Sequence, residues 1–312
     1  DAALPAGAGV TAPIHGVAVD AGSGLAAALR QARGAASEPG DLLRFKRAVL
    51  RGLGPGATTL LVDAELGPGL LADFPKGCEP MMAYEADVYR IHDEDRVTVL
   101  PDGLAVADFP QLGIRQLKFF MWYAPDDPAP LNARKRALVG EVGAACRAAG
   151  LSYLMEPLVY HRAAEPGSTA FAAAKPDLVR RATAAFADRA LGVDVLKVEV
   201  PVDLDHVEGF GAPSRSRAEA RAAFREAARP AEDAGIPFVY LSAGVPFDRF
   251  EASLRLAREA GVAPGGFVCG RALWNDAVAV FGHDGPEAAE AWLATEGRAR
   301  LDRLKRALEG TA

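Results

Sequence analysis

The stretch Asp194–Val200, DVLKVEV, sets a lysine and a glutamate inside an otherwise apolar run. Read as a strand, it places Val195, Lys197 and Glu199 on one face and Leu196 and Val198 on the other, because successive side chains of an extended chain alternate. Seven further short apolar runs lie on either side of it. They are HGVAVD (15–20), TTLLVDA (58–64), MMAYEA (81–86), QLKFFMWY (116–123), LSYLMEPLVY (151–160), PFVYLSAG (237–244) and GFVCGRA (266–272). Helical patterns are read between them. LNARKRALVGEVGAACRAAG, SRAEARAAFREAARPAEDAG and FDRFEASLRLAREAG carry apolar residues at three- and four-residue spacing and end in glycine. Strands alternating with helices imply right-handed βαβ units and a parallel sheet. Eight such strands, continuous and suited to burial, predict closure into a single-domain (β/α)8 TIM barrel rather than an open doubly wound sheet.

The length of 312 residues suits either one barrel or two ordinary domains, but no Pro/Ser linker or composition break divides the chain. The Gly-, Ala- and Pro-rich residues 1–13 are expected to form a flexible arm and residues 14–312 the barrel, because such an arm has little to bury against its ordering entropy. The segment Ala86–Gln116 exceeds what a simple helix needs and is expected to hold an extra hairpin or loop, and a last helix is expected near 286–309.

With 35 basic and 41 acidic residues the net charge is -6, which argues against a broad footprint for nucleic acid or an anionic membrane. Any anionic ligand must be met by local charge. No apolar run reaches spanning length and the first residues lack a basic and apolar leader pattern, so a cytoplasmic location is expected. Cys78, Cys146 and Cys269 are odd in number and widely spaced, which suggests neither disulfides nor a zinc knuckle. The five histidines show no HxH or HExxH spacing, so no metal site is predicted.

Barrels of this kind carry their reactive residues at the C-terminal ends of the strands. Asp20, Asp63 and Glu85 end the first three runs, and Lys118, Glu156, Lys197 and Glu199 lie within the next three. Ionised groups in apolar strands are costly unless paired, so together they suggest a shared site. A lysine in a desolvated pocket or beside another cation, which Lys118 could supply, can attack a carbonyl to form a Schiff base. Glu156 could shuttle a proton, and the proline after it suggests that the strand ends or bulges there. The alternative is a structural network in which Lys197 and Lys118 only neutralise Glu156, Glu199 and Asp63. After the seventh and eighth runs, Ser242-Ala243-Gly244 and Gly270-Arg271 fit a phosphate-binding end, or else turn glycines and a surface cation.

Six stretches in order, FKRAVLRGLGPGATTLLVDAELG, MMAYEADVY, LSYLMEPLVY, GVDVLKVEVPVDLDHVEGF, YLSAGVPFDRFEASLRLAREAG and VCGRALWNDAVAVF, resemble the tagatose 1,6-bisphosphate aldolase family from about Ile14 to the C-terminus. The resemblance implies a class I aldolase, without metal or other cofactor, that cleaves a ketose 1,6-bisphosphate to dihydroxyacetone phosphate and glyceraldehyde 3-phosphate. Lys197 matches the Schiff-base lysine, Glu156 the acid/base glutamate and Lys118 the fourth-strand lysine. Ser242, Gly244, Gly270 and Arg271, with Asp20, fall at the substrate-binding end. The partner implied is a small sugar phosphate, and the resemblance suggests a homo-oligomer. One departure stands out. After the first-strand aspartate that family usually reads DQR, whereas this chain has Asp20-Ala21-Gly22-Ser23, which leaves the sugar specificity open. A sulfofructose 1-phosphate aldolase and a non-catalytic sugar-phosphate sensor are the alternatives.

Overall fold

The protein is described by a computed structural model that covers residues 13–87 and 94–310. Residues 1–12 of the expected arm lie outside the described residues, as do residues 88–93 of the long third connection, His92 among them.

Eight strands form: β1 (Ile14–Ala18), β2 (Thr59–Val62), β3 (Glu79–Ala83), β4 (Gln116–Tyr123), β5 (Ser152–Val159), β6 (Val195–Glu199), β7 (Phe238–Leu241) and β8 (Gly266–Cys269). They pair in sequence order, all parallel, and β8 returns to β1, so the predicted single-domain barrel is closed. Lys118 lies opposite Ala83, Glu156 opposite Phe120 and Lys197 opposite Val239. The alternation read from DVLKVEV holds in three dimensions. Val195 joins Ala18, Leu61, Met81, Ala83, Leu154, Val239 and Val268 in the barrel interior, while Leu196 and Val198 belong to the larger cluster between sheet and helices. Burial of each large apolar side chain contributes roughly 1.5–3 kcal/mol, so these two clusters dominate the stability of the frame.

The outer layer comprises α1 (Ser23–Arg33), α2 (Asp41–Leu53), α3 (Ala129–Ala149), α4 (Thr169–Phe186), α5 (Arg217–Ala234), α6 (Phe247–Glu259), α7 (Arg271–Trp274), α8 (Asp276–Asp284), α9 (Pro286–Trp292) and α10 (Arg298–Glu309). The α5 helix illustrates how its ends are set. The Ser216 hydroxyl accepts from the Glu219 amide at 3.2 Å, the Glu219 carboxylate accepts from the Ser216 amide at 2.8 Å, and Gly235 ends the helix in the left-handed region.

Three expectations need correction. Among the described residues no α-helix joins β2 to β3 or β3 to β4. The first connection instead holds a 3₁₀ segment, Gly67–Asp73, because prolines 68 and 75 and the nearby glycines disfavour a regular helix. The last helix is split by a π turn, Leu293–Gly297, between α9 and α10. Strand β5 neither ends nor bulges at Pro157. Its ladder to β4 continues to Val159, while its ladder to β6 stops at Met155, so the missing proline donor falls where β6 pairing has already ended. No helix among the described residues is long and apolar enough to cross a membrane.

Candidate active site

A cavity of about 430 Å³ opens where the strands end, and the interior cluster of Ala18, Leu154, Val195 and their neighbours lies beneath it. Asp20, Lys118, Glu156, Lys197, Ser242, Gly244, Gly270 and Arg271 all line this one cavity. The strands and the turns after them carry these residues there. Asp20 follows β1, Lys118 is the third residue of β4, Glu156 the fifth of β5 and Lys197 the third of β6.

Glu156 is the centre of the arrangement. One carboxylate oxygen lies 2.9 Å from Lys197 Nζ and the other 2.8 Å from Lys118 Nζ. All three side chains are buried, with residue exposures of 6% for Glu156, 4% for Lys197 and 3% for Lys118. Lys118 also meets Asp20 at 3.0 Å and forms a short ion pair with Glu85, whose second oxygen accepts from the Phe120 amide at 3.3 Å. Burial pulls the Lys118 ammonium down, but Asp20, Glu156 and Glu85 outweigh it and hold it well above the ordinary lysine value. The two lysines are therefore unlike. Lys118 is a fixed cation in a cage of three carboxylates, whereas Lys197 contacts Glu156 alone among the described acidic residues.

The purely neutralising network expected as the alternative is not the one observed. Asp63 pairs with Lys46 of α2, and Glu199 lies 3.9 Å from Lys175 of α4, so neither depends on Lys118 or Lys197. Glu199 shares a strand face with Lys197 but is absent from the cavity lining. Lys46 and Lys175, both buried, lie on helices and so outside the strand reading. A signal existed, because Lys46 precedes Val49 and Leu53 by three and seven residues, and Lys175 precedes Leu178 and Ala182 likewise, which sets both on buried helix faces.

Burial pushes Glu85 up to about 7, with Asp20 and Glu156 adding to the effect against the attraction of Lys118. Asp20 goes the other way. Burial would raise it, but Lys118, Lys197 and Lys46 hold it at about 2. Because the folded Glu85 value exceeds the ordinary 4.5, its contribution to stability is complete below pH 4.5 and lost as pH rises through about 7. Asp20 contributes above pH 3.8 and loses that contribution as pH falls through about 2. Glu85→Gln is thus expected to flatten the fall of the urea midpoint between about pH 5 and pH 8. An unchanged slope would assign the titration to another group.

Where β7 ends, Ala243 and Gly244 both take positive φ, 48° and 78°, after the buried Ser242. The Arg271 guanidinium lies across Gly244 so closely that a Cβ there would come within 2.5 Å of Cζ. Trp274 Nε1 donates to the Ala18 carbonyl at 2.8 Å and ties the short α7 to the end of β1. This end offers a hydroxyl, exposed backbone and one guanidinium, which is a set suited to a phosphate. Among the described residues no group of His, Cys, Asp and Glu is arranged to hold a metal ion.

Comparison with known proteins agrees with this architecture. The DeoC/LacD family aldolase model matches residues 15–276. The chain is 33% identical over 303 residues to the tagatose 1,6-diphosphate aldolase of Listeria monocytogenes serotype 4a, spanning 95% of this chain and 87% of that protein. It is 37% identical over 276 residues to tagatose 1,6-diphosphate aldolase 1 of Streptococcus pyogenes serotype M3, spanning 86% and 82%. Among solved structures, the fructose-bisphosphate aldolase of Plasmodium falciparum superposes with a TM-score of 0.60 at 16% identity, covering 91% of this chain and 96% of that one. A Schiff base forming fructose-1,6-bisphosphate aldolase superposes with a TM-score of 0.56 at 14% identity, covering 88% and 92%. At such identities the superpositions speak for the barrel fold. The family match over most of the chain, with a third or more of the residues shared with its relatives, carries the conclusion: the chain belongs to the DeoC/LacD family of aldolases and is an aldehyde-lyase.

Proposed function

We propose that the chain is a class I aldolase in which Lys197 forms a Schiff base with a phosphorylated ketose and releases dihydroxyacetone phosphate. The observation that carries this reading is the Lys197 amine, buried at the cavity wall with a carboxylate proton acceptor 2.9 Å away. An ammonium has no lone pair, so Lys197 first passes a proton to Glu156 and then attacks the C2 carbonyl as the free amine. Glu156 returns that proton to the carbinolamine hydroxyl, which leaves as water, so that an iminium and the free Glu156 carboxylate remain. Glu156 takes the proton of the C4 hydroxyl, the C3–C4 bonding pair flows to the iminium, and the aldehyde departs from an enamine. Protonation at C3 and hydrolysis return the amine and dihydroxyacetone phosphate.

Lys118 has a different part in this scheme. Its charge is shared by three carboxylates, so it fixes Glu156 and orients substrate hydroxyls rather than repelling the proton of Lys197. Ser242, Gly244, Gly270 and Arg271 hold the phosphate on C1. The names of the relatives make tagatose 1,6-bisphosphate the first substrate to test.

A coupled assay that follows reduction of released dihydroxyacetone phosphate tests the proposal. Turnover unaffected by EDTA supports it, whereas uptake of ketose phosphate without release would indicate a non-catalytic binder. Glu156→Gln is expected to lower kcat by on the order of 10²–10⁴-fold, the range for loss of a positioned acid/base group. Near-normal kcat in that variant would move the proton transfer elsewhere.

A further inference from the structure

We propose that Asp63 binds the C5 hydroxyl of the sugar, on the carbon next to C4, and that Lys46 of α2 is the positioning residue that holds this carboxylate in place. The inference rests on the aldolase reading above and deepens it by naming a specificity-determining residue.

Ala18 of β1 and Leu61 of β2 are register partners, and both face the barrel interior. Just beyond them the Val19 amide still donates to the Leu61 carbonyl at 2.8 Å, so the strands stay joined. Asp20 and Asp63 each stand two positions further along, and both line the cavity where the strands end. Asp63 is firmly held. Its Oδ1 accepts from the amides of Glu65 at 3.0 Å and Leu66 at 2.8 Å, and Oδ2 forms a short ion pair with Lys46 Nζ. A carboxylate offers about four acceptor positions, so these partners leave one of them open.

Lys46 reaches this point from a helix, fully buried, and a buried ammonium is costly unless it is paired. Its charge also acts on Asp20. A pair that served the frame alone would need no access to the cavity, yet the Asp63 side chain is 14% exposed against 0% for Lys46. A carboxylate fixed in advance at a substrate cavity loses little freedom when a ligand arrives, which favours specific recognition. Being ionised it only accepts hydrogen bonds, so the group it meets is a hydroxyl. In the scheme above Lys197 holds C2 and Glu156 serves the C4 hydroxyl. The C3 hydroxyl lies between those two groups, which are 2.9 Å apart, and Asp63 bonds to neither of them. The C5 hydroxyl, beyond C4, is the one left for Asp63.

The test runs the reaction in the direction of synthesis, with dihydroxyacetone phosphate as donor and either glyceraldehyde 3-phosphate or 3-hydroxypropanal phosphate as acceptor. The second aldehyde lacks the hydroxyl that becomes that of C5. The wild type is expected to favour glyceraldehyde 3-phosphate in kcat/KM by roughly 10- to 100-fold, the range for a hydrogen bond to a charged group. Part of that preference is intrinsic to the aldehydes, so the ratio is compared between proteins. Asp63→Asn, and a double variant with Lys46→Met and Asp63→Ala that removes both charges of the buried pair together, are each expected to reduce the ratio by about fivefold or more. A structural role would lower both rates alike and leave the ratio unmoved, and that result in either folded variant would overturn the inference. Equal use of the two acceptors by the wild type would overturn it as well and leave the aldolase reading intact. Failure of the wild type to condense either acceptor would sink both readings together.

Discussion

Replacing Lys197 with methionine is expected to lower kcat for dihydroxyacetone phosphate release by on the order of 10⁴-fold or more, the scale seen when a covalent nucleophile is removed. Methionine keeps the length of the stem, and Glu156 keeps Lys118 as its partner at 2.8 Å. The fold should therefore hold, with a melting transition near that of the wild type. Binding of the substrate phosphate at the Arg271 end should survive, so a competitive titration with dihydroxyacetone phosphate separates lost chemistry from lost binding. A variant that still turns over at a tenth of the normal rate would show that Lys197 is not the nucleophile.

The second large effect concerns stability. Lys118→Met removes the cation from among Asp20, Glu85 and Glu156 and leaves three carboxylates converging on a buried space. Breaking a buried ion pair on one side costs about 3–5 kcal/mol, because the remaining charge is left uncompensated. Without the lysine, burial at Glu85 and Asp20 loses its main offset, so the folded values of these two carboxyls rise. The contribution of these groups is then complete at acid pH and lost as pH rises through the raised values, so the deficit relative to wild type is largest at neutral to alkaline pH. Urea melts of both proteins across that range measure it. A deficit that is small at neutral pH, or that grows as pH falls, would contradict the ion cage.

Much of this arrangement is legible in the sequence because it rests on period-two alternation. The lysine in DVLKVEV and the glutamate in LSYLMEPLVY interrupt apolar strands, and inward-facing charges from neighbouring barrel strands must meet at one end. The helix faces hid the rest. Lys46 and Lys175 read locally as ordinary polar helix residues, although both sit on buried stripes and hold Asp63 and Glu199 respectively. Asp87 was invisible for another reason. It lies in the long connection after β3, where no periodicity operates, and its Oδ2 accepts at 2.6 Å from the amide of Ser23, a partner that only the closed barrel brings to it. Pro157 misled because a proline signals interruption only where its missing donor was needed. In the β2–β3 connection, glycine and proline in GPGLLADFPKG make a 3₁₀ path where alternation of strand and helix predicts a full helix.

In the proposed mechanism Lys197 bonds covalently to the carbonyl carbon of the sugar. Borohydride added during turnover should reduce that imine, and peptide mass mapping should then find a phosphorylated three-carbon adduct on the peptide containing Lys197. The adduct should be absent from the Lys197→Met protein. An active preparation that yields no adduct, or one whose adduct maps to Lys118, would show that Lys197 does not form the imine.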